Sequence, residues 1–278
     1  MNDLNVNNSN VNNINAIVGT HDIIFLTFDT LRYDVAQSLW QAGRTPNLAA
    51  LLPNTGWEKR HSPASFTYAA HHAFFAGFLP TPIAAGIHPR LFGLQFEGST
   101  SIAPETCVLN GASLPEGLSN HGYRTICIGG VGFFNQRNPL GKVLPGLFQE
   151  RYWSPELGVT DRNSTEHQVA LACNRLNALS PSQRVFLFIN LSALHQPNYF
   201  YLLGAATDSI ETHAAALEYI DRALVPLWET LRDRAPTFGI LCSDHGTTYG
   251  EDGYTGHRIA HPTVWTVPYA EIILNESV

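Results

Sequence analysis

The chain has one methionine, four cysteines and no uninterrupted apolar run approaching membrane-spanning length in its 278 residues. A spanning helix needs about 20 consecutive apolar residues, so no transmembrane segment is expected. Lysine and arginine total 16 against 23 acidic residues, for a formal charge of −7, and the basic residues form no stripe. Nucleic acids and anionic membranes are held by such stripes, so neither is expected as a partner. Any anion bound here has to be met by a local site. Cys107, Cys127, Cys173 and Cys242 stand far apart with no C-x-x-C spacing, and Cys127 and Cys242 lie inside apolar runs. That usage reads as buried free thiols in a reducing, cytoplasmic setting. The opening Met1–Asn10 lacks the basic and apolar regions of a signal peptide. Residues 1–20 read as a flexible Asn-rich tail, and 21–278 as one domain.

What is present points to an α/β protein. Asp22–Phe28, Val185–Asn190 and Thr237–Cys242 are short β-branched and aromatic runs, the pattern of strands buried on both faces. Trp57–His61, the segment ending at Ile128, and Thr263–Leu274 add further strands. Between them lie expected helices at Thr45–Leu52, Leu114–His121, Thr165–Leu179 and Ile210–Arg234. The last carries Ala214, Leu217, Ile220, Leu224, Leu227 and Leu231 at helical spacing. Strands alternating with helices imply a three-layer α/β/α sandwich around a mostly parallel sheet. The Gly-, Pro-, Ser- and Thr-rich stretch 81–111 reads as a long excursion over the functional face. The Gly129–Phe134 turn and Asn198–Tyr201 are expected to wall a pocket with it.

The polar residues are placed informatively. Asp29, His195 and the pair Asp244-His245 each follow the carboxyl end of an expected buried strand, the edge where open α/β sheets bind ligands. Asp and His suit zinc or manganese. Thr67 precedes an Ala/His/Phe run that reads as a helix stopped at Gly77, with Thr67 as its cap. The positive end of a helix dipole attracts phosphate or sulfate. Taken singly, Asp29 is also explained as a helix cap, Asp244-His245-Gly246 as a turn, and His71 and His72 as helix-surface residues. The joint placement of Asp29, Asp244, His245 and His195 favours a site.

Phe28-Asp29-Thr30-Leu31-Arg32-Tyr33-Asp34, Thr45-Pro46-Asn47-Leu48, Thr67 with His71, Gly77–Pro80, Gly122–Gly129, Leu194-His195-Gln196-Pro197, Ser243–Gly246, Gly250-Glu251 and Gly256-His257 follow one another in order. This ordered set, spanning residues 22–274, resembles the alkaline phosphatase/sulfatase superfamily, and within it a bacterial group of short sulfatase-like hydrolases. The resemblance implies that Asp29, Asp244 and His245 hold a divalent metal, zinc or manganese before calcium or magnesium. Thr67 matches the metal-bound nucleophile. His195 and His257 match residues that grip the transferred oxyanion or ligate a second metal. Leu191 occupies the position where two-metal phosphodiesterases carry an Asp, which favours one metal over two. His71, Arg32 and Asn135 complete the set as candidate substrate contacts. Two departures matter: formylglycine sulfatases carry Cys or Ser where Thr67 stands, and a Lys where Gly130 stands. The expected activity is therefore metal-dependent hydrolysis of small phosphate esters through a phospho-threonine. Sulfate or phosphonate hydrolysis and phosphoryl-type transfer are the alternatives, and a metal-binding relic within a biosynthetic complex is the non-enzymatic one. Oligomeric state has no signature in the sequence.

Overall fold

The computed structural model describes residues 14–77 and 112–274, together with two short backbone strands at Arg90–Phe92 and Thr106–Val108 that pair in parallel. The expected 81–111 excursion otherwise lies outside the described residues, as does the tail before residue 14.

Seven strands form the central sheet: β1 (Asp22–Phe28), β2 (Glu58–His61), β3 (Arg124–Ile128), β4 (Glu150–Tyr152), β5 (Val185–Leu191), β6 (Thr237–Cys242) and β7 (Thr266–Leu274). Their spatial order is β2-β7-β6-β1-β5-β3-β4. From β6 to β4 every pairing is parallel, whereas β7 runs antiparallel to both β6 and β2. All seven residues of β1 are buried. Because successive side chains alternate faces, this one strand feeds two cores. Ile24, Leu26 and Phe28 join an aliphatic core with Leu187, Ile189 and Leu191 of β5. Ile23 and Phe25 join an aromatic one with Phe186, Phe188 and Phe238.

Helices cover both faces, as a parallel sheet requires. Over the aliphatic face lie α1 (Tyr33–Gln41), α4 (Ser164–Asn177), α5 (Ile210–Ala223) and α6 (Val225–Arg234), through Val35, Val169, Leu217, Leu227 and others. Over the aromatic face lie α2 (Thr67–Ala76) and α3 (Leu114–Asn120), through Phe75 and Leu118. The architecture is the expected three-layer sandwich. Gly77 and Gly122 take left-handed φ values of 71° and 84° where α2 and α3 end, conformations that cost glycine little. Cys127 and Cys242 are buried free thiols.

Two expectations need correction. The single helix Ile210–Arg234 is two helices that meet at Leu224. Pro226 lies in the first turn of α6, where its missing N–H costs little but no helix can run continuously through it. The flexible tail does not extend to residue 20. A short helix at Ile14–Ile17 buries Ile17 against the aromatic core, and Tyr123 Oη accepts a bond from the Gly19 N–H at 2.8 Å.

Glu150 anchors the edge strand β4. Burial alone would raise its carboxyl, but bonds from Arg175, Tyr152 and Arg124 outweigh burial and hold its pKa at about 2. A depressed folded-state pKa means stability that is present above the unfolded value and lost as pH falls toward the folded one. We expect Glu150→Gln to cost roughly 2–4 kcal/mol at neutral pH, with the gap to wild type closing between about pH 4.5 and 2. Urea titrations across that range check it.

Candidate active site

The carboxyl ends of β1, β5 and β6 converge because these strands are adjacent and parallel. Asp29 follows β1 directly, Asp244 and His245 lie just past β6, and His195 sits in the loop after β5. All but His195 are fully buried. Thr67 comes from the other direction, at the start of α2. It is not the cap: Phe66, with extended backbone, holds that position, and Thr67 is the first helical residue. Its hydroxyl is thereby aimed at the sheet edge. Thr67 Oγ1 lies 3.4 Å from Asp29 Oδ2 and 3.2 Å from His245 Nε2.

Local hydrogen bonds set the state of each imidazole. His245 Nδ1 lies 2.9 Å from the Gly246 carbonyl, and a carbonyl can only accept. Nδ1 therefore carries the proton, and the Nε2 lone pair faces Thr67. His195 is fixed the same way by the Gln196 carbonyl at 2.7 Å. Burial pushes His245 below its ordinary pKa and takes His257 down to about 3, so both rings are neutral. His257 packs 4.5 Å from the His245 ring and 5.6 Å from that of His195.

The carboxylates behave in the opposite sense. Burial first, and then the charge of Asp244, pushes Asp29 up to about 6, and burial raises Asp244 to about 7. Asp29 Oδ1 and Asp244 Oδ2 are buried with no hydrogen-bond partner. Two orphaned buried carboxylate oxygens are costly unless a cation meets them. Ligand atoms of Asp29, Asp244 and His245 all lie within 4.8 Å of one another, and no other such group occurs among the described residues. Two carboxylates, a lone-pair imidazole nitrogen and a hydroxyl suit one zinc or manganese ion. Leu191, fully buried in the aliphatic core, offers no further ligand.

The sequence did not reveal Asn190. Its Nδ2 donates to Asp29 Oδ2 at 3.1 Å while its Oδ1 accepts the Val131 N–H at 3.1 Å. It orients one carboxylate and ties the turn after β3 to the site. Ser62 also went unread; its hydroxyl donates to the Asp244 carbonyl. We expect Asn190→Ala to weaken divalent-metal affinity by about 10- to 100-fold, the usual effect of removing a group that holds a ligand in place. Metal titration by calorimetry checks it.

Three expected substrate contacts lie elsewhere. His71 is fully buried behind Thr67, with Nδ1 at the Thr67 carbonyl (2.7 Å), Nε2 at Thr27 Oγ1 (3.0 Å), and Phe74, Phe134 and Phe188 around its ring. It braces the Thr67 backbone from within a closed, phenylalanine-lined pocket. The guanidinium of Arg32 is consumed by Asp34 and Glu251, and that pairing anchors the hairpin that carries His257. Asn135 turns into its own loop, accepting the Arg137 N–H at 2.9 Å. Gly130 stands where the resemblance puts a lysine. A Cβ there would lie 2.3 Å from the Asn190 carbonyl oxygen, so no side chain fits.

A second network fixes the loops. Asn198 donates to the Leu194 carbonyl (2.8 Å) and to Tyr249 Oη (3.0 Å), and Tyr249 Oη meets His213 Nδ1 at 3.1 Å. Through it the His195 loop, α5 and the hairpin after β6 hold one another.

A search of the curated proteins finds no relative by sequence. Among solved structures, the fold is similar to the C-terminal periplasmic domain of phosphoethanolamine transferase EptC from Campylobacter jejuni. The TM-score is 0.60 at 13% identity, covering 91% of this chain and 79% of that one. It is also similar to the zinc complex of the corresponding Escherichia coli domain (0.63, 14%, 91% and 72%). The lipoteichoic acid synthase LtaP from Listeria monocytogenes is a third (0.58, 13%, 95% and 67%). The family model for sulfatases matches residues 21–269, nearly the whole chain. With the Asp29, Asp244 and His245 cluster at the sheet's carboxyl edge, that match places the chain in the sulfatase family, within the alkaline phosphatase/sulfatase superfamily.

Proposed function

We propose that this chain is a metal-dependent hydrolase of phosphate esters, with Thr67 as its nucleophile. One observation carries the reading: a buried threonine hydroxyl lies 3.2 and 3.4 Å from two members of a metal-ligand cluster in which each carboxylate has one buried oxygen with no hydrogen-bond partner. Asp29, Asp244, His245 and Thr67 would hold one divalent ion, which supplies charge neutralisation and a lowered hydroxyl pKa.

The chain's own residues do the rest. Asp29 Oδ2 is in reach of the Thr67 proton. Thr67 oxygen attacks phosphorus in line, a P–O ester bond breaks, and the leaving alcohol takes a proton from His195. The free N–H groups at the start of α2 and the two imidazoles face the non-bridging oxygens. His71 and its phenylalanine cage hold Thr67 still meanwhile. Water then attacks the phospho-threonine and gives its proton to His195, the P–Oγ bond breaks, and Thr67 recovers the proton from Asp29.

Transfer to an alcohol acceptor is a second reading, supported by the similarity in fold to proteins named as transferases and a synthase. It shares the first half-reaction and differs only in what releases the intermediate. A panel of aryl phosphate diester, aryl phosphate monoester, aryl phosphonate and aryl sulfate, assayed with and without glycerol as acceptor, tests both. The proposal expects phosphate-ester turnover that chelator abolishes and zinc or manganese restores. Turnover of sulfate alone would overturn it.

A further inference from the structure

Among the described residues, neither Gly130 nor Arg32 brings a cation to the site. Gly130 admits no side chain, and Arg32 is spent on two carboxylates. An anionic phosphoryl group that met only a metal, imidazoles and backbone dipoles would leave part of its charge unmatched. One arginine stands close enough to change that.

Arg258 follows His257 directly. Its N–H donates to the Ser65 carbonyl at 2.8 Å, pinning it two residues from Thr67. Its φ is +67°, a left-handed conformation that is uncommon and strained for a long side chain. Gly250, Gly253 and Gly256 of the same hairpin take positive φ as glycines, and Asp252 does so with its carboxylate 3.1 Å from His261 Nε2. The side chain is exposed, and among the described residues no carboxylate pairs with it.

We propose that Arg258 is the anion-recognition residue of this site: a guanidinium held at the rim beside His257 and Thr67 that binds the phosphoryl oxygens of an anionic ester. This deepens the phosphate-ester reading and rests on it. An arginine in a backbone conformation suited to glycine is then explained by ligand binding rather than by folding. Guanidinium meets two phosphoryl oxygens at once, which lysine cannot do.

The test is inorganic phosphate binding to the zinc-loaded protein by calorimetry, alongside turnover of an aryl phosphate diester. Arg258→Gln is expected to bind zinc as wild type does, to bind phosphate about 10- to 100-fold more weakly, and to lose efficiency mostly through KM. Arg258→Lys recovers part of the phosphate affinity. Arg258→Gly, which accepts φ of +67° without strain, is expected to be at least as heat-stable as wild type while losing phosphate affinity as Gln does. Phosphate affinity unchanged in Gln and Gly variants, or a wild-type protein that binds no phosphate, overturns the proposal. Failure of the hydrolase reading shows separately, as zinc-loaded wild-type protein that binds phosphate yet turns over no phosphate ester.

Discussion

Thr67→Ala is expected to bind its metal ion with an affinity within several-fold of wild type and to lose at least about a thousandfold in kcat, the scale on which removing a nucleophile acts. The separation follows from the geometry. The ligand atoms of Asp29, Asp244 and His245 already cluster without the hydroxyl. Removing Oγ1 deletes the attacking atom and leaves them in place. The fold is expected to survive, because Thr67 is the first residue of α2 and not its cap, and alanine is a good helix former. Thr67→Ser keeps a hydroxyl and is expected to retain activity within one to two orders of magnitude, its freer rotamer accounting for the loss. Metal content by mass spectrometry and steady-state kinetics on an aryl diester separate binding from chemistry.

Asp244→Asn has the opposite profile and a change of sign in stability. Its Oδ1 accepts the Thr30 and His245 N–H groups, at 3.2 and 3.0 Å, while Oδ2 has no partner. In metal-free protein that leaves two carboxylates buried side by side. Replacing one by an amide of the same shape relieves their repulsion, so metal-free Asp244→Asn is expected to unfold at a higher temperature than metal-free wild type. Adding zinc reverses the order. Binding to the folded state alone raises wild-type stability by about 2.7 kcal/mol at a free metal concentration of 100 times Kd. The variant, with a ligand lost, gains almost nothing. Thermal scans of both proteins with chelator and with zinc give four numbers, and the account requires the two pairs to cross. Turnover by Asp244→Asn is expected to be undetectable.

Much of this site is legible in the chain because each part sits at a boundary that sequence marks. Asp29 and Asp244-His245 interrupt strongly apolar strands at the carboxyl end, and β1 beside β6 brings them together although 215 residues separate Asp29 from Asp244. Asn190 is harder to see. It lies within β5, where a polar residue in an apolar run gives no sign of which neighbour it serves. The partner of Arg32 is Glu251, 219 positions away, so a charge that looks free for substrate is already spent. His71 and His72 are adjacent on one helix, and only packing shows that the first is walled in by phenylalanines. The break at Leu224 escapes notice because the leucines keep helical phase across Pro226, which is tolerated in a first turn.

The most direct test of the central claim is the stereochemical course at phosphorus, using a phosphorothioate diester of one configuration hydrolysed in heavy-oxygen water, so that the labelled phosphorothioate monoester it releases is chiral. Each in-line displacement inverts the centre. Attack by Thr67 followed by attack of water inverts it twice, so the account predicts net retention. Net inversion would mean that water attacks the ester directly, and would contradict Thr67 as the nucleophile.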